Sequence, residues 1–158
     1  MSHIGIHPDQ ERLHELFEYR DGKLYNKTNR ASTARMGMES GGRDNHGYRH
    51  AKVNGKLHRT HRLIYIMHNG DIPEGLCIDH INGIRDDNRI ENLRVVTNQE
   101  NAFNTSAKGY SWHKRQSKWG AFIMINGVQK HLGSFDLKED AAKAYQVAKE
   151  KYHIIEKK

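Results

Sequence analysis

A chain of 158 residues holds one ordinary domain or two very small ones, and small units bury a poor fraction of their surface. With 35% hydrophobic and 28% charged residues it reads as a folded chain with modest cores rather than a disordered tail, and its single cysteine, Cys77, excludes both an intramolecular disulfide and paired zinc knuckles. Of the net charge of +7, +6 lies from Thr105 onward, where 11 lysines and arginines stand against 5 acidic residues, so the C-terminal third is the expected anchor for a polyanion. No run approaches the ~20 apolar residues that cross a bilayer, and the first 16 residues lack an apolar signal core, which predicts a cytoplasmic protein with no membrane partner.

The spacing of Leu13, Leu16 and Phe17 predicts a short helix over 9–17, and Asp21-Gly22 a hairpin turn after it. The stretch 29–47 is polar and glycine-rich, too poor in apolar residues to pack by itself. Asn54-Gly55 marks a second hairpin. Residues 61–68 then form a helix with Leu63, Ile64 and Met67 on its apolar face, ended by Asn69-Gly70. A strand near 77–81, a polar loop, a strand near 93–97 and a helix starting at Asn98 follow in β-β-α order. Residues 104–109 have linker composition. Beyond them come three short strands, with Asn126-Gly127 turning between the last two, and a helix opened by an Asp136–Glu139 capping box. Ala141, Ala142, Tyr145 and Ala148 of that helix face the sheet. The expected fold class is α+β, with domains at 1–103 and 110–158 joined by 104–109.

The informative chemistry is Asp79-His80, followed by Asn82-Gly83, an Asp/Asn-rich loop, Asn92-Leu93 and Asn101. Phosphodiester hydrolysis needs an activated water, a base to deprotonate it and a cation to neutralise charge on the phosphate and the leaving oxygen. An imidazole with a pKa near about 6.5 suits the base, and carboxylate and amide oxygens suit a hard divalent cation. His80 is therefore the expected base. Asp-His and Asn-Gly are common singly, and an Asx-rich loop is more often a string of turns; their order within a β-β-α context carries the reading. His58, His61 and His68 are expected to be surface or structural residues, Asp86 and Asp87 turn residues, and Arg62 a support of the fold.

These residues resemble the HNH nuclease motif in the version carried by phage and intron-encoded homing endonucleases. The resemblance implies a ββα-metal finger in which His80 is the general base, Asn92 holds the loop that aims it, and Asp79 and Asn101 are metal ligands. Asn in the last position, where the motif's name has His, leaves one carboxylate and one neutral oxygen, which favours Mg2+, with Mn2+ as an alternative, over Zn2+.

The stretch 108–150 resembles the apetala-type DNA-binding domain of plant ethylene-response factors, a three-stranded antiparallel sheet packed on one helix. The resemblance implies double-stranded DNA as partner, with the sheet in the major groove and contacts from Lys108, Ser111, His113, Lys114, Arg115, Trp119, Gln129 and His131. Ala121, Ile123, Leu132 and Phe135 match the face packed on the helix. Phe122 and Met124 replace polar contacts of the plant domains, so the plant recognition sequence does not transfer. The expected function is a site-preferring endonuclease that nicks DNA as a monomer, a double-strand break requiring dimerisation or a second binding event. The alternative is a DNA-binding regulator on an inactive HNH scaffold.

Overall fold

The computed structural model describes residues 7–104 and 108–155, so the centre of the expected linker, 105–107, lies outside the described residues. The chain divides into two compact units, Met1–Thr97 and Asn98–Lys158.

The first unit opens with α1 (Gln10–Leu16), capped by the Asp9 carboxylate, which accepts from the Arg12 amide. The helix buries Leu13 and Leu16 and runs directly into the hairpin β1 (Phe17–Arg20) and β2 (Lys23–Asn26). Asp21 and Gly22 adopt φ values of +44° and +79°, the left-handed pair that matches the twist of a two-residue hairpin. Gly22 answers a second demand as well. A Cβ there would stand 2.8 Å from the Arg89 amide nitrogen, so the hairpin tip abuts the loop that follows the Asp79-His80 strand.

The polar stretch after β2 is anchored by a cation rather than by apolar side chains. The Arg30 guanidinium donates to the Lys52 carbonyl and to the Asn26 and Ser40 side chains, and lies 4.5 Å from the Phe17 ring centroid. It ties the stretch to the first hairpin and to β4 (Arg49–Val53), which pairs with β3 (Gly42–Arg43) on one side and β5 (Lys56–Arg59) on the other. Helix α2 (Thr60–Asn69) ends at Gly70, whose N–H donates to the Ile66 carbonyl. Leu63, Ile64, Ile66 and Met67 of α2 join Leu13, Phe17, Leu24 and Val53 in one core. Full burial of each such side chain contributes about 1.5–3 kcal/mol, and the core fixes the base on which β6 (Leu76–His80) and β7 (Leu93–Thr97) pair antiparallel.

The second unit begins with α3 (Asn98–Phe103), which follows β7 without a break. Composition puts the boundary after residue 103, whereas the chain divides before α3. The reason lies in its side chains: Phe103 stacks on His153 at 4.1 Å between centroids, and Gln99 donates to the Asn126 side chain. A sheet in the order β10-β9-β8 follows, from β8 (Tyr110–His113), β9 (Lys118–Ile125) and β10 (Val128–Phe135). Helix α4 (Lys138–Tyr152) buries Ala141, Tyr145 and Ala148, and its Tyr145 and Ala148 form a small core with Ile123 of β9. The expected capping box is absent. The helix is preceded by Leu137 without a side-chain cap, and Asp136 instead pairs with Lys118 at 3.2 Å.

Candidate active site

Strand alternation sends Ile78 and His80 to one side of β6 and Asp79 to the other. Asp79 lies directly across from Arg94 on β7, and its Oδ2 accepts from both Nε and Nη2 of that guanidinium, at 2.9 and 2.7 Å. This cross-strand pair gives a 7% exposed carboxylate a charged, two-donor partner.

His80, 5% exposed, ends the strand and is held by Asn88. Its Nε2 lies 2.8 Å from Asn88 Oδ1, and because an amide oxygen only accepts, Nε2 is the donor in this bond. Asn88 itself is 1% exposed. Nothing in the sequence separates it from the other asparagines of the loop, and the sequence reading omits it.

Asn92 shapes the loop. Its Oδ1 accepts from the Asn82 amide at 3.1 Å, while its Nδ2 donates to Asn82 Oδ1 at 3.0 Å and to the Asp87 carbonyl at 2.7 Å. Asn82 in turn donates to Asp87, which a salt bridge from Arg89 and that bond hold well below the usual carboxylate range. Asp86 pairs with Arg43. Both acids brace the loop.

The N-terminal half supplies the rest of the surroundings. The Tyr19 hydroxyl accepts from the Ile90 amide at 3.1 Å, and Arg85 donates to the His46 carbonyl at 2.9 Å. The rings of His61 and Tyr48 flank His80, with centroids 4.9 and 6.2 Å away. His61 is 4% exposed. Burial first, and then the proximity of His80, Arg59 and Arg62, depresses its pKa to about 3, so the ring is neutral. Arg62 is engaged by His7, at 2.8 Å from Nη2, which fits a supporting role.

Among the described residues, no three His, Cys, Asp or Glu side chains converge into a metal cage. The Asp79 carboxylate, on the other side of β6 from His80, and the amide oxygens of the loop are donors of the kind a hard divalent ion takes. Asn101, the other ligand the sequence suggests, is exposed on α3 in the second unit.

In the second unit the eight expected DNA contacts do not share one surface. Ser111, His113, Gln129 and His131 lie on the open face, where Phe122 sits between the rings of His113 and His131 at 5.5 and 5.0 Å. Lys114 and Arg115 are exposed in the turn after β8, and Lys108 is exposed just before that strand. Trp119 shares the parity of Ala121 and Ile123, packs on Trp112 at 5.4 Å and lies beneath Lys138 of α4, so it belongs to the helix side.

Residues 58–103, which contain the site, match the HNH endonuclease family. The chain is 33% identical over 103 residues to Protein 3.8 of Escherichia phage T7, an alignment covering 60% of this chain and 85% of that protein. The chain belongs to the HNH endonuclease family, and it is a nuclease that hydrolyses phosphodiester bonds. It is also 31% identical over 100 residues to the uncharacterized HNH endonuclease L560 of Acanthamoeba polyphaga mimivirus, covering 61% of this chain and 53% of that one. A third relative, the DNA endonuclease I-HmuI of Bacillus phage SP01, is 31% identical over 96 residues, covering 60% and 49%. This chain thus spans about half the length of the mimivirus and SP01 proteins. The structure of I-HmuI described as showing DNA binding and cleavage by the HNH homing endonuclease aligns over 83% of this chain and 77% of that chain, at 22% identity and a TM-score of 0.43. HNH nucleases generally use a divalent metal ion. No helix among the described residues is long and apolar enough to cross a membrane.

Proposed function

We propose that this protein is a metal-dependent endonuclease of the homing type that nicks double-stranded DNA, acting in the cytoplasm of the cell that makes it. The observation carrying this reading is the buried His80–Asn88 bond at the end of β6, one residue from the Asp79 carboxylate. A base held in one tautomer is ready to take a proton, and such preorganisation is what general-base catalysis needs.

His80 Nδ1 takes the proton of the attacking water as the new P–O bond forms and the ester P–O bond breaks. Asn92 keeps the loop closed so that Asn88, and through it His80, holds its angle. Asp79 would hold the ion, with Asn101 as the second ligand by its place in the motif. A bound divalent ion would supply charge neutralisation at the phosphate and at the leaving oxygen. The motif leads to Mg2+ as the working ion, with Mn2+ able to replace it. One site in one chain cuts one strand per engagement, so the monomer is a nickase.

The second unit serves as the DNA-holding part. Lys108, Lys114 and Arg115 meet phosphates, while Ser111, His113, Gln129 and His131 of the open face read the groove. The arrangement supports the apetala-type resemblance without Trp119, which contributes through packing.

Supercoiled plasmid incubated with purified protein and Mg2+ tests the proposal. Relaxed circles from the wild type, and none from His80→Ala or in the presence of EDTA, are expected. Binding without cleavage under Mg2+ and Mn2+ would instead identify a DNA-binding regulator built on an HNH scaffold.

A further inference from the structure

Tyr48 is flanked by two guanidiniums. Arg59 Cζ lies 4.1 Å and Arg85 Cζ 5.1 Å from the centroid of its ring, and that centroid is 6.2 Å from the ring of His80. Two like charges gathered on one ring repel each other, while the cation–π attraction that gathers them is worth only about 0.5–1 kcal/mol at an exposed site. A carboxylate would ordinarily relieve such a pair. Among the described residues neither arginine has one within ion-pair distance. The neighbouring acids are already engaged: Asp44 by the His46 and Tyr48 amides at 2.9 Å, Asp87 by Arg89 at 2.8 Å, and Asp86 by Arg43.

Both arginines are exposed, and Arg85 commits one donor, to the His46 carbonyl at 2.9 Å. Of the roughly ten N–H donors on two guanidiniums, most therefore remain for an acceptor from outside. The first turn of α2, which begins beside Arg59, holds no acidic residue and no capping side chain, so the positive end of its dipole adds to the same pole. A planar fork held against an aromatic ring is pre-organised for two-point contact with phosphate oxygens.

Resting on the reading of His80 as the base of a DNA nuclease, we propose that Tyr48, Arg59 and Arg85 form a clamp for a phosphodiester group of the DNA backbone, seating the strand to be cut beside His80. The clamp recognises the charge and shape of a backbone phosphate and reads no base. Tyr48 acts as the platform that keeps the two guanidiniums together.

The test compares the full-length wild type with the Arg59→Gln/Arg85→Gln and Arg59→Lys/Arg85→Lys double variants. Two readouts are needed: single-turnover plasmid relaxation at limiting protein, and binding of a fluorescein-labelled duplex across a salt series. The glutamine pair should relax plasmid about 10-fold more slowly or worse, and should flatten the log–log salt slope by up to about 0.9 for each phosphate it no longer neutralises. The lysine pair should keep the slope and still lose rate, because the two-point geometry is gone. Glutamine variants that cleave at the wild-type rate with an unchanged slope overturn the clamp. If the wild type itself does not cleave, the nuclease reading fails while the salt slope still decides the clamp. Should the glutamine pair not fold, a lysine pair as fast as the wild type overturns it equally.

Discussion

Asn88 Oδ1 accepts a hydrogen bond from His80 Nε2 at 2.8 Å, between residues only 1% and 5% exposed. The bond makes Asn88 the positioning residue of the base, and Asn88→Ala should cut the single-turnover rate about 10–100-fold, the usual cost of losing the partner that orients an active imidazole. Duplex binding should stay at the wild-type level, since the Asn88 side chain is buried beneath the loop surface. A binding loss as large as the rate loss would show that the loop had collapsed and the tautomer argument was not the cause.

Asn92 makes three hydrogen bonds to the loop it closes, to the amide and the side chain of Asn82 and to the Asp87 carbonyl. Asn92→Ala removes all three from a 7% exposed side chain, which at about 0.5–1.5 kcal/mol for each bond should cost about 2–4 kcal/mol of stability. Urea unfolding with an unchanged m-value and a lower midpoint is the expected result.

The hairpin tip at Gly22 bears on the active-site loop from far along the chain. Alanine there meets a φ of +79° and places its Cβ 2.8 Å from the Arg89 amide nitrogen, a backbone atom that cannot swing aside. About 1–2 kcal/mol of backbone strain should be accompanied by a slower cleavage step, because Asn88 directly precedes the displaced atom. Single-turnover kinetics of Gly22→Ala checks this, and a stability loss at full cleavage rate would separate the hairpin from the chemistry.

Neutral His61 makes the fold sensitive to acid. Its pKa falls from the ordinary 6.5 to about 3 because burial, and then the surrounding cations, oppose protonation. Between those values the unfolded chain binds a proton that the folded chain refuses. Stability is therefore fully present above about pH 6.5 and declines as the pH falls toward about 3, by at most about 1.4 kcal/mol per unit. Thermal melts from about pH 8 to about pH 4 should show this decline in the wild type and a flatter profile in His61→Gln. Parallel profiles would assign the acid sensitivity to another group.

Arg94 and a metal ion compete for Asp79, since the guanidinium occupies Oδ2 through two N–H groups. Arg94→Gln should destabilise the fold by about 2 kcal/mol, less than the roughly 3–5 of a fully buried pair, because the Arg94 side chain keeps 26% exposure. The same change should lower the Mg2+ concentration at half-maximal cleavage. A midpoint that rises would mean that Arg94 helps to hold the carboxylate in its binding geometry.

Local conformation was legible in the sequence. Asp21-Gly22, Asn54-Gly55 and Asn126-Gly127 all turn hairpins at positive φ, since that backbone preference belongs to the residues themselves. Helical spacing likewise located α1, α2 and α4, and the Asp79-His80 pair stood out because its neighbours formed a pattern. Tertiary structure alone decided which asparagine meets His80, that His61 and Tyr48 pack beside it, that α3 joins the second unit, and that Trp119 turns toward its helix. The physical reason is the same in each case. Asn82, Asn88 and Asn92 offer identical chemistry, and only the closure of the loop against the Tyr19–Gly22 hairpin selects among them. A strand's outward face depends on register, which long-range packing sets, so no residue carries that information by itself.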